Sequence, residues 1–149
     1  SDGTVVWKAQ TTDSTWLRNT AALLHHNGRI YGAGSYAVAL DARSGRVLWA
    51  RRAASAASPY DTYQRAAAAV DDRYLYVASR EHRALALDAS TGAAAWETDL
   101  MPQCQQLCVQ MGIALAGDTV YVSGENWRYQ IGGQRTITLA ALDRRTGAI

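Results

Sequence analysis

The chain has 149 residues, with 15 basic and 13 acidic side chains, a net charge of +2 and 48% hydrophobic residues. That length supports a sizeable core, and the near-balanced charge argues against a nucleic-acid-binding face, which needs concentrated basic residues. The sequence shows neither a signal peptide nor a run of about 18 apolar residues, so it predicts no transmembrane segment within this stretch of chain.

Short apolar runs alternating with polar turns predict β-strands along the whole chain. The segment Ala66–Ala69 favours helix by propensity, but it aligns with the first strand of the neighbouring units and is predicted as strand. In chain order, the predicted strands include Thr4–Ala9, Ala21–His25, Arg29–Ala33, Ala66–Val70, Tyr74–Ser79, Met111–Leu115, Thr119–Ser123 and Arg135–Leu142.

One phrase recurs along the chain and closes each predicted unit. It occupies Ala39–Trp49, Ala86–Trp96 and Ala141–Ile149, with a partial copy over Asp2–Trp7. Its apolar residues alternate as in a half-buried strand. An Asp then bonds backbone N–H groups two or three residues on, and a Gly accepts positive φ. The phrase therefore predicts a strand, a tight turn and a returning strand.

The Asp, Gly and Trp of the phrase keep a fixed register. The glycines are spaced 42, 47 and 55 residues apart, and the Trp follows the Gly by four positions where it is present. A large ring at the same place in each unit suggests packing between neighbouring units, and we interpret these tryptophans as structural. The motif residues are Gly3, Trp7, Asp41, Gly45, Trp49, Asp88, Gly92, Trp96, Asp143 and Gly147.

A repeat of this length with four antiparallel strands per unit predicts an all-β chain built from β-propeller blades. The expected blades span residues 10–51, 52–98 and 99–149, and residues 1–9 are expected to be the last strand of a preceding blade. Closed propellers usually have four to eight blades. We therefore expect about three four-stranded blades of a larger propeller, completed by a longer protein or by further copies.

The phrase Ala-Leu-Asp-x-x-Ser/Thr-Gly-x-x-x-Trp resembles the tryptophan-docking motif of the pyrroloquinoline-quinone-type β-propeller repeat family. The resemblance covers essentially the whole chain, although the third copy stops at Ile149, before its Trp. The family includes quinoprotein alcohol dehydrogenases, a bacterial outer-membrane assembly lipoprotein and extracytoplasmic sensor domains of actinobacterial serine/threonine kinases. A composition with 28 alanines, no Phe and Lys8 as the single lysine is typical of a high-GC, actinobacterial-like genome.

Two cysteines, Cys104 and Cys108, lie in a predicted inter-blade segment. A disulfide is the favoured interpretation for an extracytoplasmic protein. Two buried free thiols are the alternative. A zinc site is disfavoured because no His or Cys partner stands nearby at metal-ligand spacing.

Candidate binding residues lie in loops at one end of the predicted blades, where propellers generally meet ligands. The loop Gly124–Arg135 is unusually long and is interpreted either as a binding loop or as a solvated hairpin extension. Aromatic and arginine side chains, which are common at binding hot spots, mark the candidates together with an adjacent Glu-Asn pair: Trp16, Arg18, Tyr60, Tyr63, Arg65, Glu125, Asn126, Trp127, Arg128 and Tyr129.

The resemblance implies two different functions. Enzymatic members need a quinone, a calcium ion, an aspartate base, a stacked Trp and usually an adjacent Cys-Cys pair. Glu125 and Asn126 offer oxygen ligands that calcium accepts, but the cysteines are not adjacent and the motif aspartates serve turns. We therefore predict a non-catalytic binding or sensing scaffold with no catalytic residue, metal site or cofactor, part of a larger bacterial extracytoplasmic protein such as a kinase sensor.

The alternative is a fragment of a quinone-dependent alcohol dehydrogenase, which would bind quinone and calcium. A third interpretation is a structural module that presents loops for assembly. The expected partners are the remaining blades, carried on another chain or a second copy, and a protein or small-molecule ligand.

Overall fold

A computed structural model describes residues 3–9, 22–34, 36–52, 67–79, 82–100, 108–126 and 136–149. Eleven strands are present in these ranges. They are β1 (Ala22–His26), β2 (Arg29–Ala33), β3 (Tyr36–Asp41), β4 (Val47–Arg52), β5 (Ala67–Val70), β6 (Tyr74–Ser79), β7 (Arg83–Asp88), β8 (Ala94–Asp99), β9 (Cys108–Ala116), β10 (Thr119–Asn126) and β11 (Thr136–Asp143). The described residues contain no helix long and apolar enough to cross a membrane.

The strands form three antiparallel sheets in which sequence neighbours pair. We call β1–β4 blade 1, β5–β8 blade 2 and β9–β11 blade 3. The turns that join first to second and third to fourth strands lie at one end of the sheets, the turn end. The other connections, including those between blades, lie at the opposite end, the loop end. This is the all-β arrangement of stacked propeller blades that the repeat predicts.

Two hydrophobic cores fill the spaces between the blades. The first joins blades 1 and 2 and includes Tyr31, Trp49 and Leu75. The second joins blades 2 and 3 and includes Tyr76 and Trp96. Blade 2 is therefore covered by a neighbour on both faces.

Burial of β3 and β7 differs from the predicted half-buried alternation. The four central residues are buried in both strands, Ala37–Leu40 and Ala84–Leu87. In blade 3 both β10 and β11 alternate, with Val120, Val122, Ala140 and Leu142 buried and Tyr121, Leu139 and Ala141 exposed, because the described residues cover only one face of this blade. A strand between two packed sheets buries both faces, so the prediction was wrong for the inner strands.

Strand lengths differ from the prediction at both sides of blade 3. β9 begins at Cys108, so residues 108–109 of the predicted inter-blade segment belong to a strand. β10 continues to Asn126, so residues 124–126 of the predicted loop Gly124–Arg135 also belong to a strand. The reason is the ladder between β9, β10 and β11, which continues past a register shift at Ser123/Gly124 and pairs Asn126 with both Cys108 and Thr136. Residues 127–135 of the predicted loop lie outside the described residues, so a binding loop and a solvated hairpin extension both stay predictions.

The opening strand predicted over Thr4–Ala9 is not found. Residues 3–9 belong to none of the three sheets. A strand is stabilised by its ladder with a neighbouring strand, and the described sheets do not extend to this segment. Its Trp7 nevertheless packs against Gly45 of blade 1.

Candidate functional site

Each motif Trp lies against the Gly-containing turn of the following blade. A Cβ built on Gly45 would stand 2.5 Å from Trp7 Cε3, one on Gly92 would stand 2.7 Å from Trp49 Cε3, and one on Gly147 would stand 2.6 Å from Trp96 Cε3. These three glycines have φ between 71° and 74°, a left-handed conformation that glycine adopts without a steric penalty. Glycine is therefore required for two reasons: the backbone has a left-handed conformation, and the Trp ring leaves no room for a Cβ. Trp49 and Trp96 are buried, whereas Trp7 is half-buried.

The indole N–H groups of these rings satisfy backbone carbonyls across the interface. Nε1 of Trp7 donates to Ala42 O at 3.0 Å, and Nε1 of Trp49 donates to Ala89 O at 3.1 Å. Nε1 of Trp96 donates to Arg144 O at 3.1 Å. The ring thus buries apolar surface and keeps its polar atom paired, which a buried Trp requires.

The motif aspartates hold the turns that receive the rings. Oδ1 of Asp88 accepts from the backbone N–H groups and hydroxyls of Ser90 and Thr91. The Ser90 hydroxyl contributes most to lowering the pKa of Asp88 to about 2. Asp41 and Asp143 make equivalent bonds, and their pKa values are lowered mainly by the hydroxyls of Ser44 and Thr146. These carboxylates are charged turn caps, as predicted from the sequence.

The interface between blades 1 and 2 converges on one carbonyl. Ala89 O accepts from Trp49 at 3.1 Å, from the Tyr31 hydroxyl at 3.2 Å and from the Arg29 guanidinium at 2.9 Å. At the turn end, Asp72 Oδ1 also accepts from Asn27 Nδ2 and lies 2.7 Å from His26 Nε2. Blade 1 therefore supplies donor side chains to this interface, and blade 2 supplies acceptors, the Ala89 carbonyl and the Asp72 carboxylate.

The interface between blades 2 and 3 uses an arginine from the opposite side. Arg144 stands where Ala42 and Ala89 stand in the other copies, and its guanidinium reaches back to the Asp71 carboxylate. It also contacts the Tyr76 hydroxyl at 3.1 Å and donates to Gly117 O at 2.8 Å. The network borders a cleft of about 230 Å³ lined by Asp71, Asp72, Arg73, Tyr74, Tyr76, Asp118, Arg144 and Arg145.

The electrostatics of this network favour the ion pair. Burial alone would raise the pKa of Asp71, but hydrogen bonds from Tyr74 N–H and from Arg144 outweigh it and lower the pKa. Burial raises the pKa of Tyr76 to about 12, so its hydroxyl stays protonated and donates to Asp71 at 2.9 Å. The arrangement is a polar clamp between two blades, with every member hydrogen-bonded.

We expect Arg144→Met to destabilise the fold by about 2 kcal/mol, since it leaves the half-buried Asp71 and the buried Tyr76 without their charged partner. Chemical denaturation at pH 7 measures the loss. Arg145→Met is the matched control, because Arg145 is exposed in the same turn and should change stability by less than about 0.5 kcal/mol. Equal effects of the two substitutions would contradict the clamp.

The pH dependence of that difference follows from Asp71. Its pKa is lowered in the folded chain, so its contribution is complete above the ordinary value of 3.8 and is lost as the pH falls through the lowered folded-state pKa. The difference in stability between the wild type and Arg144→Met should therefore shrink in strong acid.

The candidate binding residues fall mostly outside the described ranges. The residues outside the described ranges are Trp16, Arg18, Tyr60, Tyr63, Arg65, Cys104, Trp127, Arg128 and Tyr129. For Cys108, Glu125 and Asn126 the structure describes the position of the backbone in its strand. The disulfide and the loop site remain predictions. At the described part of the loop end, Arg83 pairs with Glu97, and His82 holds a positive φ of 61°.

Six of the described carboxylates already have structural partners and do not fit the quinone and calcium site that the enzymatic members of the family need. Asp41, Asp88 and Asp143 cap turns at the turn end, Asp71 and Asp72 cross blade interfaces there, and Glu97 is paired with Arg83. Within the described ranges, no group of three or more His, Cys, Asp or Glu side chains could hold a metal ion.

Solved structures with similar folds are propeller proteins. A quinohemoprotein alcohol dehydrogenase of Pseudomonas putida HK5 is 25% identical with a TM-score of 0.68, over 85% of this chain and 19% of that one. The quinohemoprotein alcohol dehydrogenase of Comamonas testosteroni is 19% identical with a TM-score of 0.68, over 88% and 21%. BamB of Moraxella catarrhalis is 23% identical with a TM-score of 0.50, over 80% and 30%. The last two show the fold alone, and the chain spans less than a third of the length of each of the three.

Family membership rests on the repeated turn phrase and the cross-blade geometry together with the sequence comparison. No curated protein matches the sequence. The model of a PQQ-repeat family described as "Outer membrane protein assembly factor BamB" matches residues 33–149. The chain therefore belongs to this family of PQQ-type β-propeller repeats.

Proposed function

We propose that the chain is part of a non-catalytic β-propeller scaffold that binds a ligand or a protein through its loop end. The observation that carries this proposal is that the motif carboxylates accept hydrogen bonds within their own turns. Asp41, Asp88 and Asp143 are engaged in turn hydrogen bonds. The hydrogen bonds of the turn end thus stabilise the fold. Binding residues of a rigid scaffold are usually found in its loops.

The proposed contact residues are the aromatic and arginine side chains of the loops, above all Trp127, Arg128 and Tyr129 in the segment joining β10 to β11. Support comes from their residue types, which are enriched at binding hot spots, and from the long hairpin that carries them. Trp16, Arg18, Tyr60, Tyr63 and Arg65 belong to the same proposed surface.

An extracytoplasmic location is part of the proposal. The matching family is described as an outer membrane protein assembly factor, and a BamB is among the similar structures. A sensing role, as in kinase-linked members of the family, is a finer form of the same proposal. The remaining blades of the propeller are proposed to come from another polypeptide segment or a second copy.

Measuring the melting temperature of the chain with panels of peptides, sugars and amino acids tests whether the scaffold binds a ligand. A ligand that binds the native chain raises its melting temperature by mass action. We expect the shift to be lost in Trp127→Ala/Arg128→Ala, whose melting temperature without ligand should match the wild type. A ligand whose shift survives in that variant, and in a matching Trp16→Ala/Arg18→Ala variant, would exclude the loop surface.

The second candidate is a fragment of a quinone-dependent alcohol dehydrogenase, favoured by the 25% identity and TM-score of 0.68 to the Pseudomonas putida enzyme. Calorimetric titration with pyrroloquinoline quinone in calcium-containing buffer, followed by dye-linked oxidation of ethanol, separates the two candidates. The scaffold predicts neither saturable binding nor dye reduction. Saturable quinone binding with alcohol-dependent dye reduction would overturn it.

A further inference from the structure

The cleft between blades 2 and 3 lies at the turn end, and its walls come from these two blades alone. Residues 71–74 belong to the β5–β6 hairpin, Asp118 belongs to the β9–β10 hairpin, and residues 144–145 belong to the turn of the repeated phrase, the motif turn. The volume of about 230 Å³ lies below the roughly 300–1,000 Å³ of typical small-molecule pockets. The cleft therefore has room for one small molecule and not for an extended peptide.

A glycine in the β9–β10 hairpin leaves this cleft open. Asp72 of blade 2 and Gly117 of blade 3 hold the same position, because each precedes the residue whose carbonyl accepts a hydrogen bond from the motif turn. The Asp72 side chain meets Asn27 and His26 across the interface with blade 1. Gly117 offers no such side chain to blade 2, and a Cβ built on it would meet nothing within 4 Å. Space that side chains occupy between blades 1 and 2 is therefore open between blades 2 and 3.

Charged side chains of both signs line the cleft. Three of them hydrogen-bond within the protein, Asp71, Asp72 and Arg144, and three exposed ones remain for a ligand, Arg73, Asp118 and Arg145. The remaining carboxylate would oppose a simple anion, and the two remaining guanidinium groups would oppose a simple cation. Complementary charge therefore favours a ligand that carries both a positive and a negative group.

Two sets of contacts hold the walls of the cleft in place. The guanidinium of Arg73 lies over the Tyr74 ring, with Cζ 5.0 Å from the ring centroid. The polar clamp of Arg144 with Asp71 and Tyr76 joins the two blades beside it. Groups that are held before binding lose less conformational entropy when a ligand arrives. The cleft is therefore preorganised for a small ligand.

We propose that this cleft binds a free α-amino acid, with the ligand carboxylate on Arg73 and Arg145 and the ligand ammonium group on Asp118. A guanidinium pairs with a carboxylate through two parallel hydrogen bonds, and an ammonium group donates to a carboxylate. An α-amino acid carries both charged groups on one carbon atom, so both fit within a cleft of this size. The site lies at the turn end, so it is separate from the proposed binding surface at the loop end.

Calorimetric titration of the 149-residue chain with each of the common free L-amino acids tests the site. We expect saturable binding of at least one of them. Its N-acetyl derivative and its carboxamide each lack one charged group, so each should bind at least about tenfold more weakly, because a charge-assisted hydrogen bond is lost. No saturable binding of any amino acid, or equal affinity of either derivative, would overturn the proposal.

Substitutions locate the bound amino acid. Arg145→Met and Asp118→Asn should each weaken binding at least about tenfold, and the melting temperature without ligand should match the wild type because both side chains are exposed. Arg43→Met is the matched control, because Arg43 is exposed and holds the position of Arg145 in the motif turn of blade 1. It should leave the affinity unchanged. An affinity that survives in both cleft variants would overturn the proposal. Its loss in Trp127→Ala/Arg128→Ala instead would assign the amino acid to the loop surface, so the two proposals fail separately.

Discussion

Trp49→Ala is expected to lower the free energy of unfolding by about 3–5 kcal/mol, the range for truncating a large buried side chain. The ring is 9% exposed, packs on Gly92 and lies 6.2 Å from the Tyr31 ring centroid. The substitution also removes the indole N–H that donates to Ala89 O. Chemical denaturation monitored by far-ultraviolet circular dichroism measures the change without depending on Trp fluorescence.

Trp7→Ala is the matched control for this change. It removes the same ring and the same type of hydrogen bond to Ala42 O, but Trp7 is only half-buried. Its loss should therefore be smaller, since less apolar area returns to water. A loss below about 1 kcal/mol for Trp49→Ala would show that the cross-blade ring contributes little to stability.

Gly92→Ala is expected to destabilise by about 3 kcal/mol, combining a left-handed backbone with an overpacked interface. The new Cβ would stand 2.7 Å from Trp49 Cε3 and 2.8 Å from Cδ2, so the ring must move. A near-ultraviolet circular dichroism spectrum would report that displacement, and a thermal melt would report the stability.

Gly28→Ala separates the two causes. Gly28 has a similar φ of 70°, but a Cβ there meets nothing within 4 Å. It should lose only the backbone part, about 1 kcal/mol, and leave the near-ultraviolet spectrum unchanged. Equal losses at the two glycines would mean that the contact with Trp49 adds nothing.

The sequence was sufficient for most strands, because two-residue polar turns separate alternating runs. β2 and β6 have the predicted bounds, and the alanine-rich β5 is a strand despite its helix propensity. Burial was harder to predict. Small residues such as Ala37 and Ala84 can face either solvent or a closely packed sheet. The pattern of such residues therefore does not indicate whether a sheet is covered on one face or on both.

The clamp around Arg144 could not be predicted from local pattern. Arg144 and Asp71 are 73 residues apart, and each belongs to a turn where charged residues are ordinary. One signal did exist. Aligning the repeat places Arg144 where Ala42 and Ala89 stand, and a departure from a repeat marks a position with an added role. The loop site had residue-type signals only, so it stays a prediction.

The cross-blade hydrogen bond has a consequence for how such chains change over evolutionary time. The acceptor is a main-chain carbonyl, supplied by Ala42, Ala89 and Arg144 alike. A duplicated unit therefore brings a working attachment point whatever side chain stands there, and that side chain is free to mutate. The arginine that links blade 3 to blade 2 occupies such a position. Two neighbouring units can in this way acquire a side-chain contact that the other units lack, so that the units are no longer interchangeable. The hydrogen bond from the Trp indole to the main-chain carbonyl stays the same in every unit.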